Sequence, residues 1–220
     1  MTRVVVLRPE PGASATAKRA RDLGLDPAIL SLFEIQALDW EVPEPSAFDA
    51  ILLTSANTFR MGGEQLQRLR GLPVHAVGAA TAKAAREMGF DIASCGEAGV
   101  DRLLDSLDPD LRLLHLGGED RHKPQARQAI TAVSVYRACK RDNVDLRAIA
   151  GAIVLVHSPR AGRRLAELVQ DRAETRIAAI SADAADAVAG GWRQVTIADQ
   201  PNDEALLALA ARLCNKPDPE

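Results

Sequence analysis

Aromatic residues are scarce. Four Phe, two Trp and a single Tyr make up 3% of the 220 residues, which leaves little surface on which bases or sugar rings could stack. A polar ligand must then be held mainly by charge and hydrogen bonds. Cysteine is sparse as well: Cys95, Cys139 and Cys214 are odd in number, far apart and form no CxxC pair. That argues against a disulfide framework or a zinc centre and suits a reducing cytosol. No apolar run is long enough to span a bilayer. The opening MTRVVVLRPE enters a β-type run almost at once, without room for the apolar stretch of a signal peptide. A cytoplasmic protein is expected. Charge of one sign is also lacking: 27 Lys+Arg against 30 Asp+Glu give a net −3, so there is no long-range pull toward nucleic acid or anionic lipid. Neither GxGxxG nor GxxxxGK[ST] occurs, and VHSPRA is not the GxSxG elbow of the hydrolases. His75, His115, His122 and His157 lack the i, i+4 spacing of a metal-binding helix, and no catalytic carboxylate pair is recognisable. Neither a metal nor a cofactor is expected.

What is present is alternation. RVVVLRP is a short β-branched run ended by Pro9, a strand buried on both faces. GASATAKRARDLG follows as a helix, with Ser14 as its expected N-cap and Gly24 beyond its end. AILSLFEI reads as one further strand. AILLTS, a helix from Ala56 to about Arg70 weakened by Gly62-Gly63, VHAVG and the helix TAKAAREMG come next. FDIASCG, the helix VDRLLDSL, LRLLHLGG, the basic EDRHKPQAR and the strand AVSVYRA complete the middle third. The last third repeats the scheme: AIVLVHS, a helix to about Arg172, RIAAIS, a helix to Gly190-Gly191, QVTIA, and the amphipathic DEALLALAARLC with Asp203 as its expected cap. Strands alternating with helices mean parallel sheets covered on both faces. QALDWEVPEPS and CKRDNVD have no period and read as linkers. The expected organisation is a discontinuous domain of residues 1–36 and 142–220, an inserted domain of 46–136, and paired linkers at 37–45 and 137–141. A single continuous sheet is the alternative.

The two domains carry matched intervals. Ser55 to Gly78 spans 78 − 55 = 23 positions, and Ser158 to Ser181 spans 181 − 158 = 23. In open α/β sheets ligands sit at the carboxyl ends of strands, where helices begin and free N–H groups point outward. That rule singles out Arg8, Ser55-Ala56-Asn57, Gly78 to Thr81, Gly117-Gly118, Ser158-Pro159-Arg160 and Ser181. Ser55, Ser158 and Thr81 also suit helix caps, an explanation that needs no ligand. Basic residues near these ends, Arg8, Arg121, Lys123, Arg127, Arg137, Arg160, Arg163 and Arg176, point to an anionic ligand, although each alone reads as a solvated charge.

The ordered series VVVLRPE, ILLTSANTFR, VHAVGAATAKAAREMGF, LLHLGGEDR, VSVYRA, VLVHSPRAG and IAAISADAADAVAGGWRQVTIA resembles the uroporphyrinogen-III synthase family over essentially the whole chain. The resemblance implies an α/β fold of two doubly wound, flavodoxin-like parallel-sheet domains joined by a two-stranded linker, the first domain discontinuous. It implies a cofactor-free cyclisation of hydroxymethylbilane, a linear tetrapyrrole with eight carboxylates, in an inter-domain cleft. It further implies a monomer in transient contact with hydroxymethylbilane synthase, with no nucleic-acid or membrane partner. Tyr136 matches the family's cleft tyrosine, the candidate for assisting departure of the hydroxyl; otherwise it is a strand-end aromatic that packs. Thr81 matches a threonine lining the cleft, Ser55 and Ser158 match positions near substrate carboxylates, and Arg176 falls where a basic residue is often found. Asn57, Gly78, Gly118, Arg8, Arg121 and Ser181 complete the implied substrate-binding set. Ala184 departs from the pattern, standing where relatives commonly carry Thr beside an acidic Asp183. Two readings compete: an anion-binding or regulatory module that keeps the fold without the chemistry, and a phosphosugar isomerase-like protein suggested by TSANT.

Overall fold

Short apolar runs flanked by Gly, Pro and Ser form the central strands here because these are covered on both faces, where β-branched and leucine side chains pack best. The computed structural model describes residues 2–97, 99–121 and 123–215; His122 lies outside them. In chain order the first elements are β1 (Arg3–Val6), α1 (Gly12–Asp22), β2 (Asp26–Ile29), β3 (Phe33–Ala37), β4 (Ala50–Leu53), α2 (Asn57–Met61), β5 (Val74–Val77), α3 (Ala79–Glu87) and β6 (Ile92–Gly96). They are followed by α4 (Val100–Asp105), β7 (Arg112–Gly118), β8 (Ala129–Lys140), β9 (Ile153–Val156), α5 (Pro159–Leu168), β10 (Arg176–Ala179), α6 (Ala182–Asp186), β11 (Gln194–Ile197) and α7 (Asp203–Asn215).

The chain divides into two units, one of residues up to Glu34 together with those from Lys140 onward, the other Ile35–Cys139. The first unit holds a parallel sheet in the order β11-β10-β9-β1-β2. Its core sets Val4, Val6, Ile153, Leu155 and Ala178 against Leu206, Leu207, Ala210 and Leu213 of α7. The second unit holds the order β6-β5-β4-β7-β8-β3, parallel from β6 to β8. Leu38 N–H donates to Val135 O and Arg141 N–H to Leu32 O, both at 3.0 Å. The partner numbers run in opposite directions, so β3 and β8 are antiparallel. On one face of this sheet Ile51, Leu53, Val74, Leu114 and Leu116 pack on Phe59, Leu66, Leu69 and Phe90; on the other Ala50, Leu52 and Leu113 pack on Leu103 and Leu104.

The 23-residue interval reappears as strand register. Ile51 pairs with Val74 and Val154 with Ile177, offsets of 74 − 51 = 23 and 177 − 154 = 23. Read across each sheet, β11-β10-β9 corresponds to β6-β5-β4 and β1-β2 takes the place of β7-β8, so the two units share one strand arrangement with the chain order circularly permuted.

Several local expectations are corrected. AILSLFEI is two strands in different sheets, β2 and β3, separated at Leu30–Leu32. The chain passes between units at Glu34–Ile35 and Cys139–Lys140, and the segments that pair are β3 and β8, whereas composition pointed to 37–45 and 137–141. The helix expected from Ala56 to Arg70 ends at Met61; Gly63 takes φ +68, and Glu64–Leu69 continues as a 3-10 turn that still buries Leu66 and Leu69. The helices expected to reach Arg172 and Gly190 end at Leu168 and Asp186. Ser14 lies inside α1, which starts after Pro11, and its N–H and hydroxyl both donate to Glu10. Asp203 does not cap α7; Asn202 Oδ1 accepts the Ala205 N–H at 2.8 Å.

Gly162 shows how closely α5 and α6 approach. A Cβ there would lie 3.0 Å from Ala184 O and 3.1 Å from both Ala187 Cβ and Val188 Cγ1. A mid-helix glycine normally costs about 1 kcal/mol relative to Ala, so its presence marks a steric demand. Gly162→Val is expected to lower the free energy of unfolding by about 1–3 kcal/mol through overpacking, measured by urea denaturation.

Candidate functional site

Parallel strands bring their carboxyl ends to one edge of each sheet, and both edges carry polar groups. In the first unit β9 ends at Val156, and His157 and Ser158 follow it. Ser158 Oγ accepts the Ala161 N–H at 3.2 Å, capping α5; Ser181 Oγ likewise accepts the Ala184 N–H at 3.3 Å and caps α6. β1 ends at Val6, and Leu7 and Arg8 follow it. The Arg8 guanidinium lies directly over Gly12 at the start of α1: a Cβ on Gly12 would come within 2.5 Å of Arg8 Nε.

Arg8 belongs to a cluster. Asp203 accepts from Thr16 Oγ1 at 2.9 Å, from His157 Nε2 at 2.8 Å, and from Arg19 Nε and a terminal Arg19 nitrogen at 2.9 and 2.6 Å. Arg8 stands 3.6 Å from Asp203 Oδ1 and donates to Thr16 Oγ1 at 3.4 Å. Burial alone would push the Asp203 carboxyl up, but hydrogen bonds from His157, Arg19 and Thr16 hold it well below the ordinary carboxylate range. Burial lowers the Arg8 pKa from its usual value, Asp203 opposes that, and Arg19 adds to it. Sequence reasoning found Arg8 and missed Thr16, Arg19 and Asp203. Their partners are up to 187 positions apart, and no local pattern joins them.

In the second unit the matching positions sit 103 residues earlier: Ser55 for Ser158, Gly78 for Ser181 and Thr81 for Ala184. Ser55 Oγ accepts the Asn57 N–H at 3.2 Å, and Asn57 Oδ1 accepts from Arg60 at 3.2 Å. Gly78, at φ +84, is the residue before α3, so Thr81 is not a cap; it lies inside the first turn and is 5% exposed. Ala184 is fully buried. Thus at this matched pair the side chain packs inward, and Thr and Ala differ there by an inward hydroxyl rather than by an exposed donor. In α3 the Thr81 and Ala82 N–H groups return to Gly78 O, whereas Ala79 and Ala80 are exposed and precede any intrahelical acceptor.

Tyr136 stands on β8 opposite Gly118, where the β7–β8 register shifts. Its ring covers Gly118, whose Cβ would fall 2.7 Å from Tyr136 Cε2 and 3.3 Å from the hydroxyl. Only glycine allows this seat. The ring is half-buried against the core, and its hydroxyl has no hydrogen-bond partner among the described residues. Arg121 crosses the same end, one terminal nitrogen donating to both Gly118 O and Ser134 Oγ at 2.8 Å. Arg121 also lines a cavity of about 440 Å³ with His115, Glu119, Lys123 and the apolar Ile130 and Ala132.

One implied residue is placed elsewhere. Arg176 opens β10, at the strand's amino end, and donates to Leu213 O near the end of α7 at 2.8 Å. It closes a helix terminus and lies at the opposite end of its strand from Ser181. Among the described residues no three His, Cys, Asp or Glu side chains gather as a metal-binding group, and no helix is long and apolar enough to cross a membrane.

Fold and strand ends together define a two-unit α/β protein with two mainly parallel sheets and polar loops at the strand ends of each. The family model described as uroporphyrinogen-III synthase HemD matches residues 14–208, and the chain belongs to that family. Membership brings the activity of a cyclising hydro-lyase of haem biosynthesis. Among solved structures, a uroporphyrinogen-III synthetase from Helicobacter pylori is 18% identical with a TM-score of 0.67, covering 97% of this chain and 100% of the other. A mutant uroporphyrinogen III synthase from the extreme thermophile Thermus thermophilus is also 18% identical, with a TM-score of 0.50 and coverage of 98% and 100%. At such identity the likeness concerns the fold. No curated protein matches the sequence.

His115, at 1% exposure, faces Thr54 Oγ1 at 3.3 Å and is pushed down to about 4, first by burial and then by Arg121. The folded chain keeps it neutral to about that pH, while the unfolded chain protonates it near 6.5. The unfolded state therefore binds the extra proton in this window, and stability falls as pH drops through it. From this group alone the loss between pH 7.5 and 4.5 is expected to be about 2–3 kcal/mol. His115→Gln should flatten that slope in urea unfolding series.

Proposed function

We propose that the substrate is hydroxymethylbilane, that its carboxylates are met by Arg8, Arg121 and the N–H groups at the starts of the strand-end helices, and that Tyr136 assists loss of its hydroxyl. The observation that carries the reading is the Tyr136 phenol, seated on Gly118 at a sheet's carboxyl edge with no hydrogen-bond partner among the described residues. An O–H without a protein acceptor is available to donate to a departing oxygen. Electron density from the terminal pyrrole nitrogen breaks the carbon–oxygen bond; the hydroxyl leaves as water with a proton, and loss of the pyrrole N–H proton leaves an azafulvene. A ring carbon already bearing a bridge then attacks, forming a spiro-pyrrolenine. Cleavage of the older bridge bond at that spiro centre and reclosure at the ring's other carbon beside nitrogen invert the last ring, and loss of the proton on that carbon restores the pyrrole. One water is lost overall.

This chemistry asks for little nucleophilic power. Holding a flexible bilane in one folded conformer is worth about 7–11 kcal/mol in favourable cases. A charge-assisted hydrogen bond adds roughly 1.5–3 kcal/mol, so a few well-placed donors suffice. The direct test is incubation with freshly made hydroxymethylbilane and chromatography of the oxidised products. The type III isomer is expected; type I alone would mean an anion-binding module without the chemistry. Tyr136→Phe should lower kcat about 10–100-fold, the worth of one hydrogen bond to a developing oxyanion, while KM moves much less. Unchanged turnover in this variant would assign Tyr136 to packing.

A further inference from the structure

Asp203 raises a question of supply and demand. A carboxylate offers about four lone-pair sites. Thr16 and His157 occupy Oδ1, and two nitrogens of Arg19 occupy Oδ2. All four are taken. Arg8, at 3.6 Å, is thus drawn toward Asp203 without a hydrogen bond to it. Its one side-chain hydrogen bond among the described residues goes to Thr16, while Gly12 supplies the floor on which the guanidinium rests. A guanidinium carries five N–H donors, so most of them stay uncommitted on a group fixed in place. The charges agree: Arg8 and Arg19 outnumber Asp203, leaving the cluster cationic whichever state His157 adopts.

We infer that Arg19, half-exposed on α1, is a positioning residue for substrate binding: by saturating Asp203 it keeps Arg8 aimed yet open to a carboxylate of the tetrapyrrole. Without Arg19, both lone-pair sites of Oδ2 are vacant, and Arg8, already 3.6 Å from Oδ1, is a donor within reach of the freed carboxylate. An Arg8–Asp203 pair would then form internally, and the substrate would have to break it. Gly12 and Thr16 fix where the guanidinium lies, and Arg19 fixes what it remains free to bind. This rests on the reading of Arg8 as a substrate ligand.

The experiment compares steady-state kinetics on hydroxymethylbilane for wild type, Arg19→Gln, Arg19→Lys, Arg8→Gln and the double glutamine variant, with isomer analysis of each product. Arg19→Gln is expected to raise KM about tenfold, the worth of one charge-assisted hydrogen bond, and to change kcat far less. Arg19→Lys, which keeps the charge but loses the fork, should fall between. The double variant should be no worse than Arg8→Gln alone, because both act through one contact. An unmoved KM in Arg19→Gln, with a lowered melting temperature or without it, overturns the inference. So does a double variant whose defects multiply. Wild-type protein making only the type I isomer would instead defeat the functional reading itself, an outcome separable from these.

Discussion

A strand buried on both faces can offer chemistry only at its ends. That constraint governs both sheets. β1, β4, β7, β9 and β10 are sealed between helical layers, with residues such as Val5, Leu52, Leu114, Val154 and Ala178 at essentially zero exposure. Parallel alignment then gathers all the carboxyl ends at one edge, where each helix begins with N–H groups that have no intrahelical acceptor. Ser158 and Ser181 each satisfy one such group, the N–H of Ala161 and of Ala184.

The two edges are specialised differently. The first unit gathers Arg8, Arg19 and His157 about the single carboxylate of Asp203, held by Thr16 and the bare backbone of Gly12. The second unit keeps the buried His115 neutral, burial and Arg121 both lowering its pKa, and presents the lone tyrosine over a glycine. On the proposed reading, one edge serves to hold carboxylates and the other the step in which a hydroxyl departs.

How much of this was legible in the sequence follows from what each feature depends on. The parallel α/β alternation was visible because strands buried on both faces are written as unbroken apolar runs. The duplication was visible because register is counted in residues: the interval of 23 between Ser55 and Gly78 is the interval between paired residues of β4 and β5. AILSLFEI misled because two strands of different sheets separated by three residues have the composition of one. Asp203 looked like a cap because caps are local, and its true partners lie on α1 and β9's end. Thr81 looked like a cap for the same reason, until Gly78 with its positive φ started the helix three residues sooner. Arg176 could not be placed from its charge alone, since both ends of a four-residue strand read alike. Family resemblance supplied the substrate, which periodicity could not.

The account's central claim is that strand-end backbone nitrogens and the Arg8 and Arg121 guanidinium groups bind the tetrapyrrole's carboxylates. A crystal structure with uroporphyrinogen III bound tests this most directly. The account predicts carboxylate oxygens within about 3 Å of the Ala79–Ala80 and Ala182–Asp183 N–H groups and of Arg8, with the macrocycle close to Tyr136. Carboxylates bound at the amino ends of the strands, near Arg176, with the strand-end nitrogens left to solvent, would contradict it.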